Sequence, residues 1–90
     1  MAVVGKRVRY TGRVQGVGFR YTAQGLAAGR VVAGHVRNLP DGAVELVAEG
    51  EADSVDAFLA AVAARMADYI DHADVADAPP AGRTGFRILH

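Results

Sequence analysis

The 90 residues predict one α+β domain, spanning 1–90, in the order βαββαβ. The expected architecture is a sandwich: one antiparallel sheet, two helices on one of its faces, and a short extra C-terminal strand. Three observations lead there. Apolar and polar residues alternate with period two from Lys6 to Val14, and again on both sides of Pro40-Asp41-Gly42, as half-buried strands require. Val55, Phe58, Leu59, Val62 and Met66 recur at helical spacing and form one apolar stripe. Between the first strand and a helix-like run lies GRVQGVGFR, Gly12 to Arg20, with glycines at 12, 16 and 18.

Taken in order, Met1 to Gly5 carry no pattern and are expected to fray. Val8, Tyr10, Gly12 and Val14 share one side of the first strand, and Arg7, Arg9, Thr11 and Arg13 share the other, which should face water. Tyr21 to about Arg30 is the first helix, although Gly25 and Gly29 each weaken a helix interior by about 1 kcal/mol against alanine. Four apart, the two glycines share a face; they either let the helix approach the sheet closely or mark a loosely held helix. Val31 to Leu39 is the second strand, with Val36 and Asn38 on one face and His35 and Arg37 on the other. Proline presets φ and glycine accepts positive φ at the turn, so the pairing with Ala43–Glu49 is a hairpin. Asp53 or Ser54 is expected to N-cap the second helix. Ile70, Ala73 and Val75 suggest a short strand weakened by the aspartates from Asp71 to Asp77. After Pro79-Pro80-Ala81-Gly82, Gly85 to Leu89 closes the chain as a last strand.

Composition narrows the function classes. A chain this short hides about two-thirds of its unfolded surface at most, and with 51% apolar residues it is expected to fold rather than stay disordered. Ten basic and ten acidic residues cancel, which argues against a nucleic-acid footprint. The absence of cysteine excludes disulfides, thiolate metal sites and a phosphocysteine mechanism. No apolar run approaches transmembrane length and the N-terminus lacks a signal-peptide layout, so a soluble cytoplasmic protein is expected.

The glycine stretch carries the chemistry. Glycines let main-chain N–H groups turn inward, successive inward N–H groups make an anion-binding concavity, and a helix N-terminus adds partial positive charge. Arg20 supplies a permanently charged fork matched to phosphate oxygens. Such turns also occur as plain strand–helix connections. The stretch is neither a Walker loop, since no Gly-Lys-Ser/Thr follows, nor the dinucleotide fingerprint, whose glycine spacing differs.

GRVQGVGFR followed by GHVRNLPDGAVELVAEG (Gly34 to Gly50) resembles the paired signatures of the acylphosphatase family, and the similarity extends from about Val8 to Ile88. The resemblance implies a ferredoxin-like fold that hydrolyses the carboxyl–phosphate bond of a small-molecule acyl phosphate. It also implies that Arg20 and the backbone of Gln15, Gly16, Val17, Gly18 and Phe19 bind phosphate while Asn38 positions water. Neither cofactor nor metal is expected, because His72 and His90 have no ligand-spaced partner. His35 stands where relatives carry a bulky aromatic and faces away from Asn38 by strand parity. The expected state is a monomer with no nucleic-acid or membrane partner. Two rivals stand beside this reading. An RNA-binding domain of similar fold would need a paired aromatic platform and basic charge, which are missing. A non-catalytic module, like the similar N-terminal domains of hydrogenase-maturation carbamoyl-transferases, is disfavoured because both presumed functional residues are present.

Overall fold

Val8, Leu46 and Val36 stand directly opposite one another on three neighbouring strands, and the fold is built outward from that row. The computed structural model describes residues 2–90. Its elements are β1 (Val3–Gly12), α1 (Phe19–Ala27), β2 (Val32–Asn38), β3 (Val44–Glu51), α2 (Ala52–Arg65), β4 (Ile70–Asp77) and β5 (Phe86–Leu89). The sheet order is β4-β1-β3-β2-β5. Four strands are antiparallel as expected, whereas β5 joins the edge parallel to β2, with Ile88 opposite Val36. The extra strand therefore makes the sheet mixed.

Alternation sorts the two faces. Val8, Tyr10, Val36, Val44, Leu46 and Ala48 are buried and form one cluster with Phe19 and Ala23 of α1 and Val55, Phe58 and Val62 of α2. The predicted stripe of α2 holds: Val55, Phe58, Val62 and Met66 are buried and Leu59 packs at the margin. Full burial of a side chain such as Phe58 stabilises by roughly 1.5–3 kcal/mol, and its ring also meets the edge of Phe86 at 5.3 Å between centroids.

Several boundaries differ from expectation. Val3 to Gly5 do not fray, because they pair with Glu51, Gly50 and Glu49 of β3; Met1 lies outside the described residues. Strand β3 runs straight into α2, so Glu51 takes the N-cap position, without a side-chain cap, and Asp53 falls in the first turn. The aspartate-rich segment forms a full eight-residue edge strand. Its backbone pairs with β1 while its charged side chains face solvent, which also discourages edge-to-edge association.

Residues 78–85 form a strap over the face that carries no helix. Ala78 N–H donates to the Gly5 carbonyl of β1, and Gly85 O accepts from Gly34 N–H of β2. Midway, the buried Glu49 carboxylate of β3 accepts from Ala81 N–H, Arg83 N–H and the Arg83 guanidinium.

Candidate active site

The site begins with the turn after β1. Arg13 N–H donates to Tyr69 O at 2.9 Å, which fixes where the strand ends. Gly16 and Gly18 then take φ of 77° and 78°, with no positive φ at Val17 between them. That alternation is the backbone form that turns successive N–H groups to one side. A Cβ at either glycine would meet nothing within 4 Å, so the concavity stays open. Gly18 is the N-cap of α1, and the first turn holds no side-chain cap and no acidic residue. Among the described residues, the first helical backbone bond is Thr22 N–H to Gly18 O, and none of the N–H groups from Gln15 to Tyr21 donates to a backbone carbonyl.

Core packing aims the rest. The Phe19 ring is buried against Tyr10, centroids 4.9 Å apart, and pins the first residue of α1 to the sheet. Tyr10 stands opposite Val44, and Val44 opposite Asn38, so Asn38 lies in the sheet row beneath the helix N-terminus. Gly16, Gly18, Phe19, Arg20, Tyr21 and Asn38 together border a cavity of about 130 Å³. That is smaller than the few hundred Å³ of a drug-sized pocket and suits a compact group. Larger clefts open beside the strap, but their lining includes Glu49 and Arg83, which are already paired to each other.

Each residue named from sequence can now be located. Gly16, Gly18, Phe19, Arg20 and Asn38 meet at one cavity. Gln15 and Val17 turn their side chains elsewhere. Val17 packs on the core, and Gln15 Nε2 donates to Leu39 O at 2.8 Å and Ala43 O at 2.9 Å. This side-chain bridge from the cradle to the β2–β3 turn was invisible in the sequence, which marked Gln15 only for its main-chain N–H. The same turn is held by Asp41, whose carboxyl is kept below the usual range first by the Ala43 N–H and then by Arg9. His90 was also missed: its Nδ1 lies 3.3 Å from Arg20 Nη1, and since a guanidinium only donates, the ring nitrogen accepts. No local signal links residues 70 apart. His35 faces the helix-free side, 3.7 Å from Glu45, as parity required.

Tyr21 also borders the cavity. Gly25 does not bring α1 closer to the sheet; Ala23 and Ala27 face the core, while Gly25 is exposed and Gly29 lies past the helix end. Among the described residues, no cluster of three metal-ligating side chains occurs, and no helix is long and apolar enough to cross a membrane.

Comparison with known proteins gives a consistent answer. The acylphosphatase family model matches residues 6–88. An acylphosphatase of Lactobacillus johnsonii is 40% identical over 86 residues, covering 92% of this chain and 94% of the relative. One from Methylococcus capsulatus is 60% identical over 53 residues, a match spanning 59% of this chain and 58% of the relative. The crystal structure of acylphosphatase from Bacillus subtilis superposes with a TM-score of 0.85 at 34% identity, covering 97% of this chain and 99% of that one. Sequence, fold and relatives converge, and the chain belongs to the acylphosphatase family.

Proposed function

We propose that the protein hydrolyses acyl phosphates to a carboxylate and inorganic phosphate. The observation that carries the reading is the cluster of unpaired main-chain N–H groups from Gln15 to Phe19, bordered by Arg20 and Asn38 around one small cavity. Arg20 grips two phosphoryl oxygens and the N–H groups surround the third. The Asn38 amide accepts from and donates to a water, holding it in line with the scissile P–O bond. Water oxygen bonds to phosphorus as the P–O bond to the acyl carboxylate breaks, and one water proton passes to a phosphate oxygen. A carboxylate leaves without being protonated, so no general acid is needed, and positioning with electrostatics is physically sufficient. We further propose that it acts as a monomer in the cytoplasm on a small-molecule substrate.

The test is hydrolysis of benzoyl phosphate and acetyl phosphate, with chelator present, by wild type, Arg20→Lys and Asn38→Ala. Wild type is expected to turn over both. Arg20→Lys keeps the charge but loses the bidentate fork and should fail, as should Asn38→Ala. Full activity in Asn38→Ala, or a requirement for a divalent ion in wild type, would overturn the mechanism.

A further inference from the structure

Tyr21 borders two spaces at once. Besides the phosphate-sized cavity, it walls a groove of about 370 Å³ completed by Thr22, Gly25, Leu26 and Arg65. The groove therefore brings one face of α1 together with the last turn of α2. We propose that it receives the acyl end of the substrate and that Arg65 selects acyl chains bearing a distal carboxylate. The proposal rests on the phosphate reading above, because it begins where the phosphoryl group ends.

Three features carry it. Tyr21 is shared by both spaces, so an acyl chain leaving the small cavity on that side enters the groove, and the residue, 68% exposed, offers an uncovered aromatic wall. Gly25 sits mid-helix without positive φ, so the backbone does not require glycine there, and a Cβ would meet nothing within 4 Å. Its missing side chain keeps the groove open over the half-buried Leu26, a floor for methylene groups. Arg65, exposed in the last turn of α2, forms no ion pair among the described residues. From Tyr21 to Gly25 is one helical turn, roughly 6 Å, which a chain of two or three methylenes spans.

The experiment measures kcat and KM for acetyl, butyryl and succinyl phosphate with wild type, Arg65→Ala, Arg65→Lys and Gly25→Leu. Arg65→Ala should raise KM for succinyl phosphate about 1.4- to fivefold, the range of an exposed ion pair, with kcat unchanged and the two uncharged acyl chains unaffected. Arg65→Lys should restore most of the loss. Gly25→Leu should raise KM for butyryl and succinyl phosphate but not acetyl phosphate, even though leucine strengthens the helix. A role for Arg65 confined to the α2 helix dipole would leave every KM unmoved. Equal KM for succinyl phosphate in wild type and Arg65→Ala, or parallel changes for all three substrates, would overturn the groove assignment. Failure of wild type to hydrolyse acetyl phosphate would instead overturn the phosphate reading.

Discussion

The cradle at 13–18 and the strap at 78–85 are built from the same parts and use them in opposite ways. Both lack regular structure, both contain positive-φ glycines, and each has an arginine beside its main-chain amides. In the strap, the Ala81 and Arg83 N–H groups and the Arg83 guanidinium converge on the Glu49 carboxylate. In the cradle, the N–H groups from Gln15 to Phe19 and the Arg20 guanidinium border a cavity. An arginine fork with main-chain amides is a strong anion-binding set wherever it occurs. One segment finds its anion in the chain, 34 residues away, and is thereby a structural clamp. The other finds no anion there: apart from the Arg20 bond to the His90 ring, its donors have no partner among the described residues.

The sharpest way to break that comparison is to remove each arginine. Arg20→Ala should lower kcat for benzoyl phosphate about a hundred- to a thousandfold, as loss of a transition-state donor does, with an unchanged urea midpoint. Arg83→Ala should do the reverse, lowering the urea midpoint and leaving turnover at the wild-type level. If Arg83→Ala also abolished turnover, the two segments would not be functionally separate.

A smaller effect is expected at the anion of the clamp. Glu49→Gln should cost about 2 kcal/mol in unfolding free energy, the range for hydrogen bonds to a charged group. Burial alone would push the Glu49 carboxyl up. The Ala81 N–H, then the Arg83 guanidinium and N–H, outweigh burial and hold the carboxyl below its usual range. A carboxyl held low in the folded state contributes stability that is fully present above the unfolded value, about 4.3. That contribution is lost as pH falls through the lower folded value. The difference between wild type and Glu49→Gln, measured by urea unfolding, should therefore be flat above about pH 5 and shrink in stronger acid. A difference that grew on acidification would contradict the clamp.

The two segments also differ in how legible they were. The cradle could be found because its glycines, its arginine and the β1 alternation sit within one short stretch, and the hairpin parity that puts Asn38 on the face of Val36 is equally local. Nothing local marks Glu49 as buried, since its partners arrive only when the chain recrosses the sheet. The bridge from Gln15 to Leu39 and Ala43 and the contact of His90 with Arg20 were hidden for the same reason. Strand β4 looks weak in the sequence because aspartates disfavour strands, but an edge strand needs only its backbone pairing to β1. The start of α2 differs from the sequence expectation because good capping residues, Asp53 and Ser54, lie just inside a helix that follows β3 without a loop.

The smallest predicted effect separates shape from function most cleanly. Gly16 and Gly82 have φ of 77° and 71°, and a Cβ at either would meet nothing within 4 Å. Steric space is thus matched, and the left-handed backbone penalises alanine by a similar amount, roughly 1–2 kcal/mol. Gly16→Ala and Gly82→Ala should lower the urea midpoint alike. Only Gly16→Ala should also lower kcat/KM for benzoyl phosphate, because its methyl group projects where the N–H groups of the cradle must reach the phosphoryl oxygens. Equal activity in the two variants would mean that the open space at Gly16 is mere surface, as it is at Gly82, and that the donors of the cradle do not close around the substrate.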